Sequence, residues 1–559
     1  MKKLFLIVAA VLICTGLFAG GGQQSSSSDG LTTLRVWGNN YTTAFTGGSF
    51  TLSEWYEGTV ESRIWDKFNE DLAKIGIKLE MELIMGDQIA IAFQTLLASG
   101  QFNNYDWVAP PLYTDTAARW NLVNQGLLLP LDTAIQQYSD GTARDYFNTP
   151  TGQRIKKLNT LSDGHMYWLV QTDALYYKDQ NNIAGEPRGG VIREDWLRQL
   201  NLQTPTTLDE LFNVLQAFQD RDANMNGIKD EIARISSYQF GQAMSGYFGI
   251  GAGRISYIQG DKVLSPWYHE RARDYIAFMQ RLFNADLLKI VNEGDELPGN
   301  RVSFYDQYFN DTYSDITVVV PAGQPNAYYA PLVIQAFPNT PAIVNEQPGI
   351  NQYLDSGMYS IPARSRNVEK TVKMIDYFHT PEYMILGEYG IEGYTFSINA
   401  DGSRQRFPIN DNNVGYDMQY TSVGSPAPYA SWTGIFPRMR KLDKYEDYES
   451  MLTAGRARGY TEGFAIKNQY LSDFFDNHKW PTYISENYMS GGMAFPTAAE
   501  ASRLAEVLAD LNTYADELLT GLIIGEKSLN NWNTYMADLR RLGLDDVLAI
   551  YQARLDRMK

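Results

Sequence analysis

The chain has 559 residues, of which 44% are hydrophobic, so it can bury large cores and is long enough for more than one domain. Its formal net charge of -18 opposes binding to nucleic acid or to anionic membrane surfaces, and a neutral or weakly charged ligand fits better. Aromatic residues make up 13% of the chain, enough to build the core and also to line a ligand cleft.

Residues 1–21 have the pattern of a signal peptide. Two lysines precede an uncharged apolar run from Leu4 to Ala19, which at about sixteen residues is short for a transmembrane helix. The run ends in glycines, and residues 22–30, which are rich in serine, predict a flexible tether. We therefore expect an exported protein that is either periplasmic or held at the cell surface.

Cys14, the only cysteine, lies inside this apolar run. Acylation there would anchor the protein to lipid, but Ile13 is a poor residue before a lipoprotein cleavage site, and the apolar residues 17–19 would remain on the mature end. Cleavage near Ala19 leaves a mature chain without cysteine, which excludes disulfides and thiol catalysis. The sequence leaves the acylation of Cys14 open.

Alternating strands and helices open the mature chain. The pattern predicts strands at residues 33–37, 77–83 and 105–109, with helices at 61–75 and 88–98 between them. Gly76 is expected to end the first helix. This alternation indicates an α/β layer architecture.

A second α/β region is predicted to begin around Tyr167, where residues 166–170 have the pattern of a buried strand. Thr207 and Glu210 form a capping box at the start of the clearest helix. The apolar stripe of that helix comprises Leu208, Leu211, Leu215 and Phe218. Farther along, residues 368–375 predict another amphipathic helix, and residues 498–559 are almost continuously helical in pattern.

The segment 222–231, directly after the capped helix, resembles a calcium loop. Oxygen-bearing side chains at alternate positions can converge on one hard cation, while Gly227 permits a sharp turn. The segment departs from an EF-hand because Ala233 occupies the twelfth position, where a bidentate glutamate is expected. A solvated turn rich in Asp and Asn is the alternative. The candidate ligands of a structural Ca²⁺ are Asp222, Asn224, Asn226, the backbone carbonyl of Ile228, Asp230 and Glu231.

Motifs of catalysis are missing from the sequence. The four histidines stand alone without the spacing of a zinc site, and there is no Walker loop or GxSxG elbow. Two of the 65 acidic residues can meet at the separation that glycosidases use, so an extracellular carbohydrate-active enzyme stays an alternative. We expect a protein that is not an enzyme.

Three tryptophans lie at or near the ends of predicted strands: Trp37, Trp107 and Trp168. Sugar rings present apolar faces that stack on aromatic side chains, and ligands of α/β layers bind beyond the carboxyl ends of the strands. These residues are therefore candidate ligand contacts, together with Trp432. Ordinary core packing is the alternative for each of them.

Several further segments occur in a distinctive shared order along the chain. They are residues 192–197, 204–212, 222–231, 390–394, 525–529, Trp532, Tyr535, Leu539, 543–545 and 552–557. In this order they resemble the extracellular solute-binding proteins of ABC importers (family 1), which include LipO-type lipoproteins and alginate-oligosaccharide-binding proteins. The resemblance spans nearly the whole mature chain.

The resemblance implies an α/β two-lobe periplasmic-binding-protein fold of type II. Each lobe is then a mixed sheet flanked by helices, with an extra helical C-terminal tail. The first lobe is expected to comprise residues 31–170 and about 345–432, and the second 171–344 and about 433–559. The lobes would close on a ligand in the cleft between them.

The same resemblance implies functional residues. The equivalent of the 222–231 loop binds calcium in such relatives. The Gly-Ile-Glu-Gly-aromatic segment lies near their ligand, which makes Glu392 and Tyr394 candidate contacts, with a structural turn as the alternative.

The function implied is capture of an oligosaccharide outside the cytoplasm and its delivery to the permease subunits of an ABC transporter. A peptide or other small solute, or a sensor role without transport, is the alternative. We expect a monomer that does not bind nucleic acid. Relatives are commonly lipoproteins with a cysteine where residues 20–22 are glycines, so lipid anchoring stays open.

Overall fold

The computed structural model describes residues 30–111, 116–170, 186–291, 300–308, 329–347, 358–407, 417–420, 426–428, 436–437 and 493–559, except residues 41, 46–47, 237–239, 241, 252, 341, 344, 401 and 403. Within these ranges, no helix combines the length and apolar character needed to span a bilayer. The described residues form two large hydrophobic cores, each built around a sheet with helices packed against it.

The first core begins with thirteen successive elements. In chain order they are β1 (Thr32–Asn40), β2 (Thr42–Phe45), β3 (Gly48–Thr51), α1 (Leu52–Tyr56), α2 (Arg63–Lys74), β4 (Ile77–Met85), α3 (Ile89–Ala98), a 3-10 turn (Gln101–Asn104), β5 (Trp107–Val108), α4 (Thr116–Asn124), α5 (Leu131–Tyr138), α6 (Thr142–Tyr146) and α7 (Pro150–Asn159). Strand β1 is central and parallel to both β4 and β5. The strands and helices predicted in this region are confirmed, with β5 shorter than expected.

Helix α2 illustrates how local sequence sets these elements. The Ser62 hydroxyl accepts a hydrogen bond from the Trp65 amide at 3.0 Å, which satisfies one of the free N–H groups of the first turn. Gly76 follows the helix with a φ of 78°, a left-handed conformation that favours glycine. The buried face of the helix includes Ile64, Phe68 and Leu72.

The second core surrounds a mixed sheet. Its elements in chain order are β6 (Glu186–Arg193), α8 (Glu194–Gln199), α9 (Leu208–Asp220), β7 (Ile232–Ser236), α10 (Gln242–Tyr247), β8 (Tyr257–Gln259), β9 (Lys262–Leu264), a 3-10 turn (Pro266–Tyr268), α11 (Ala272–Asn284), β10 (Leu288–Val291), β11 (Val302–Tyr308), β12 (Tyr329–Leu332) and β13 (Asn345–Gln347). The strand order is β10-β7-β11-β6-β12, and β13 also pairs with β6. Strands β10, β7 and β11 are parallel, whereas β6 is antiparallel to its neighbours.

The predicted capping box begins α9. The Thr207 hydroxyl accepts from the Glu210 amide at 3.1 Å, and the Glu210 carboxylate accepts from the Thr207 amide at 3.2 Å. This prediction is confirmed, and the helix delivers the chain directly into the 222–231 loop, which precedes β7.

The chain then returns to the first core. The elements of this return are α12 (Val368–Phe378), α13 (Pro381–Glu388), β14 (Phe396–Ile398), β15 (Arg404–Arg406), β16 (Met418–Tyr420) and β17 (Pro426–Pro428). The Val108 amide donates to the Ser360 carbonyl at 3.0 Å, which ties the return to β5. Val372 and Ile375 are fully buried in the first core, as the predicted amphipathic helix requires.

Residues 166–170 do not form the predicted strand. They make one isolated bridge, in which the Leu169 amide donates to the Tyr359 carbonyl at 2.8 Å, and they pack in the first core. The prediction that a second α/β region begins at Tyr167 is therefore wrong. An apolar run of five residues has the same periodicity whether it pairs in a sheet or packs as an extended segment.

The C-terminal residues are helical, as predicted. They form α14 (Ala498–Ile523), a 3-10 turn (Leu529–Asn531), α15 (Trp532–Arg541) and α16 (Leu544–Asp556). The Trp120 indole donates to the Pro496 carbonyl at 2.8 Å, and Ala501 in the first turns of α14 belongs to the first core. From Leu504 onward the helix packs in the second core, so α14 joins the two.

Candidate functional site

The carboxyl edge of the first sheet is a candidate ligand site, because ligands of α/β sheets bind outside the carboxyl ends of the parallel strands. In this sheet the edge is formed by the end of β1 at Asn39 and Asn40, by Gly86 after β4 and by Ala109 after β5.

The two asparagines at this edge have different surroundings. Asn40 donates from Nδ2 to Ser53 Oγ at 2.9 Å and accepts at Oδ1 from the Ser53 amide at 3.1 Å, so it fastens α1 to the sheet. Asn39 is 8% exposed, and its Oδ1 is buried without a hydrogen-bond partner among the described residues. An unpaired buried amide oxygen costs about 1–3 kcal/mol. Asn39 was not among the predicted contacts, although two asparagines directly after an apolar strand are a signal for such a site.

Two of the predicted stacking residues, Trp37 and Trp107, lie inside the first core. Their side chains are at most 1% exposed. The Trp37 ring lies 5.6 Å from the ring of Phe93, and the Trp107 ring stacks on Tyr359 with centroids 6.0 Å apart. Other side chains cover both rings, so they cannot offer a face to a ligand in this conformation.

Trp168 is also fully buried. Its indole donates to Asn159 Oδ1 at 3.0 Å, and its ring contacts Phe495 with centroids 5.1 Å apart. The core-packing alternative therefore describes Trp37, Trp107 and Trp168, and their assignment as stacking surfaces is corrected. Trp432 lies outside the described residues.

The Gly-Ile-Glu-Gly-Tyr segment forms the turn between α13 and β14. Gly390 and Gly393 have φ values of 86° and 77°, which explains the glycines at both positions. A Cβ at Gly390 would lie 2.4 Å from Thr395 Oγ1, so a larger residue is also excluded there by contact. Glu392 is exposed at the tip of the turn.

Tyr394 is tied to the start of α2 through Asp417. The Tyr394 hydroxyl donates to Asp417 Oδ2 at 2.9 Å, and the guanidinium of Arg63 lies 4.5 Å from the ring centroid. Asp417, which is 2% exposed, also accepts hydrogen bonds from the Ser62 hydroxyl and from the Arg63 amide. Burial raises the pKa of Asp417, although the bonds it accepts oppose that shift. Burial and the Asp417 carboxylate raise the pKa of Tyr394.

The first half of the 222–231 loop is folded around its own side-chain oxygens. Asp222 accepts from the amides of Asn226 at 3.0 Å and Gly227 at 2.8 Å, and Asn224 Oδ1 accepts from the same Asn226 amide at 3.0 Å. Asn226 Oδ1 accepts from the Ile228 amide at 2.7 Å. Asp222 and Asn224 therefore bring their oxygens to one donor, which is the convergence that a hard cation needs.

The second half of the loop closes on Asp230 and Glu231. Asp230 Oδ1 accepts from the carboxamides of Asn224 at 2.8 Å and Asn226 at 3.1 Å. Glu231 is 1% exposed and accepts from the amides of Asn224 at 2.9 Å and Asp230 at 3.2 Å. Burial raises the pKa of Glu231, although these amide bonds oppose that shift.

The residues of this loop fit a cation held by mixed oxygen donors. In the part of the chain that the structure describes, no group of three or more His, Cys, Asp or Glu side chains is placed to hold a metal ion. A site in the loop would therefore depend on amide and backbone oxygens as well as carboxylates. Rotation of an asparagine carboxamide exchanges its N–H donors for its oxygen, so Asn224 and Asn226 can serve either Asp230 or a cation.

No family model matches the chain. The chain is 25% identical over 469 residues to the fructooligosaccharide ABC transporter substrate-binding protein FusA of Streptococcus pneumoniae serotype 4 (strain ATCC BAA-334 / TIGR4). That match covers 80% of this chain and 79% of the relative.

Solved structures have the same fold. FusA in complex with kestose matches with a TM-score of 0.65 and 20% identity, covering 94% of this chain and 99% of that chain. The alginate-binding protein AlgQ2 without calcium ion matches with a TM-score of 0.59 and 19% identity, covering 96% and 100%. FusA has also been solved as an EF-hand mutant in complex with fructo-nystose. The resemblance to extracellular solute-binding proteins and the two-lobe fold are thereby confirmed, and these relatives are binding proteins rather than enzymes.

Proposed function

We propose that this chain, which resembles an ABC-transporter substrate-binding protein over most of its length, captures an oligosaccharide outside the cytoplasm and delivers it to the permease of an ABC transporter. The observation that carries the proposal is the similarity to FusA over 80% of the chain. The acidic net charge of -18 favours a neutral or weakly charged sugar as the ligand.

The two cores correspond in this proposal to two lobes. The first lobe comprises residues 31–170 and about 348–437, and the second comprises 171–347 and about 504–559. These bounds differ from the expected ones, because β13 pairs with β6 in the second sheet and because Phe436 and Ala501 pack in the first core. A ligand that contacts both lobes stabilises the closed arrangement, because its affinity for that state is higher than for the open one.

Asn39 is the residue of the first lobe that we assign to ligand recognition. Its Oδ1 lies at the carboxyl end of β1 and, in the part of the chain that the structure describes, is buried without a hydrogen-bond partner. A ligand whose binding opens access to this oxygen and donates a hydroxyl hydrogen bond to it would remove the cost of leaving it unpaired, which favours the bound state. Asn40 is not assigned the same role, because Ser53 satisfies both ends of its carboxamide.

Glu392 is assigned as a second contact because its carboxylate is exposed at the tip of the 390–394 turn. Tyr394 has a hydroxyl that already donates to Asp417, so we assign it to positioning this turn against α2. Trp432 keeps its assignment as an aromatic contact.

The loop 222–231 is proposed to bind a structural Ca²⁺. Asp222, Asn224, Asn226, Asp230 and the Ile228 carbonyl would hold the ion, while Glu231 braces the loop from within through backbone amides. A bound cation would neutralise carboxylate charge and fix the connection between α9 and β7, so its contribution is to stability.

In this proposal the protein is exported, is a monomer and is not an enzyme. The apolar run of residues 4–19 supports export. A binding protein retains its ligand unchanged, whereas a carbohydrate-active enzyme turns it over.

A thermal-shift panel of neutral and acidic oligosaccharides, with monosaccharides and peptides for comparison, tests the proposal on the mature chain. We expect at least one oligosaccharide to raise the melting temperature, with kestose as the first probe. Chromatography of the same incubations is expected to recover the sugar intact. A shift with peptides alone would refute sugar capture, and released products would indicate an enzyme.

A further inference from the structure

Arg301, which lies outside the 222–231 loop, forms an ion pair with one of the loop carboxylates. Its Nε lies 2.9 Å from Asp230 Oδ2 and also donates to the Asp230 backbone carbonyl at 3.3 Å. The Asp230 side chain is 15% exposed and that of Arg301 31%. Water therefore screens this pair less than an ion pair on an open surface.

The two carboxylate oxygens of Asp230 thus face different groups, one a full positive charge and the other two carboxamide donors. Oδ2 faces Arg301, while Oδ1 accepts from Asn224 and Asn226. In a loop with a bound cation, the same carboxylate would be a principal ligand charge. Calcium affinity rises with the charge of the ligands, so a guanidinium that shares Asp230 lowers that charge.

Most of the hydrogen bonds that shape the loop do not involve Arg301. Asp222, Asn226 and Glu231 accept hydrogen bonds from backbone amides within the loop, and none of these bonds involves Arg301. The Arg301 carbonyl accepts from the Ile232 amide at 2.9 Å through the backbone, a bond that any residue at this position retains. Replacing the guanidinium therefore removes its charge and one hydrogen bond, from Nε to the Asp230 backbone carbonyl, while the other hydrogen bonds of the loop remain.

We propose that Arg301 is an internal counter-cation of the loop. It neutralises Asp230 when no calcium is bound, and it weakens calcium binding by competing for that carboxylate. The inference rests on the calcium site proposed above.

The test compares Arg301→Gln with the wild type by calorimetric titration of the metal-stripped mature chain with Ca²⁺ alone. Glutamine keeps polar length without charge, so calcium affinity is expected to rise about tenfold through the removed repulsion. A residue that only braces the loop predicts the opposite, weaker calcium binding. In the presence of a chelator, R301Q should melt below the wild type, and calcium should remove or reverse that difference.

Two further variants separate local charge from other effects. Arg301→Lys keeps the charge and is expected to bind calcium within about threefold of the wild type. Lys229→Gln removes the same charge from a lysine that instead pairs with Asp220 at 2.8 Å, with both side chains largely exposed. Its effect on calcium affinity is expected to stay below about threefold because of solvent screening.

Each outcome decides a different claim. Tighter binding by R301Q, with R301K near the wild type, supports the counter-cation. Unchanged or weaker calcium binding by R301Q, an equal gain in K229Q, or a gain in R301K overturns the counter-cation and leaves the calcium site standing.

Should the wild type bind no calcium, the proposed site fails in the native chain. Binding by R301Q would then still support the counter-cation, and its absence would refute both. An R301Q chain that does not fold would make Arg301 a structural residue and overturn the proposal, with the R301K affinity then testing the calcium site alone.

Discussion

Replacing Asn39 by leucine should separate stability from binding. The carboxamide oxygen of Asn39 is buried with no hydrogen-bond partner in the described ranges, so the folded state bears a desolvation penalty that leucine, an apolar residue of similar size, does not have. Urea unfolding of Asn39→Leu is therefore expected to give a free energy of unfolding equal to the wild type or higher by about 1 kcal/mol.

The same substitution should weaken ligand binding. A sugar hydroxyl that loses its acceptor in a desolvated cleft costs about 2 kcal/mol, which corresponds to a dissociation constant roughly 30-fold higher. Calorimetric titration with an oligosaccharide from the thermal-shift panel measures this change. The pairing of unchanged or higher stability with lower affinity is the expected signature of a binding residue.

Asn40→Leu is the matched control. Asn40 makes two hydrogen bonds with Ser53, so its loss should destabilise the protein by about 2 kcal/mol. If Asn39→Leu instead destabilised the protein as Asn40→Leu does and left the ligand affinity unchanged, Asn39 would be a structural residue and the assignment would be refuted.

Three other perturbations have equally specific outcomes. Burial lowers the pKa of His379 to about 4 from 6.5, so its contribution to stability is complete above pH 6.5 and is lost as pH falls toward 4, by about 3 kcal/mol. His379→Phe should remove this part of the acid dependence in urea unfolding, and equal acid slopes in both proteins would contradict the assignment. Trp168→Phe loses the bond to Asn159 and should destabilise the protein by about 2 kcal/mol while leaving the oligosaccharide affinity within about twofold. Weaker sugar binding would return Trp168 to the ligand contacts. Asp222→Ala should lower calcium affinity at least about tenfold and abolish calcium-dependent thermal stabilisation, and a persistent stabilisation would exclude Asp222 as a ligand.

Regular elements could be predicted from the sequence because their signals are local. The Thr207 capping box, the apolar face of α2 and the tail helices depend on residues within a few positions of one another. The run at residues 166–170 was misassigned because pairing depends on a distant partner. Tyr359, which bridges Leu169, lies 190 positions away, and no local pattern encodes that contact.

Trp37 and Trp107 lie on strands as predicted, but the sequence did not predict how deeply their rings are buried. Trp37 and Trp107 are on parallel strands whose faces are covered by helices and by the returning chain at Tyr359. Strand position therefore did not distinguish a ring that faces a cleft from one that faces a helix. The sequence does not predict Asn39 as a contact. Its Oδ1 is notable only because it lacks a hydrogen-bond partner among the described residues, and that depends on the fold.

The loop 222–231 was predicted in outline, because its oxygen-bearing residues and Gly227 are local signals. The internal role of Glu231 and the contact of Arg301 with Asp230 could not be predicted. The Arg301 contact depends on how the loop packs against the start of β11, which is far along the chain. The role of Glu231 depends on how the loop folds back on itself, which brings the Glu231 carboxylate to the Asn224 amide.

Calorimetric titration of the mature wild-type chain with the oligosaccharide that gives the largest thermal shift tests the central claim most directly. The account predicts saturable binding of one oligosaccharide per chain, with the sugar recovered intact. A panel of neutral and acidic oligosaccharides that produces no binding heat, while peptides or other small solutes do, would contradict it.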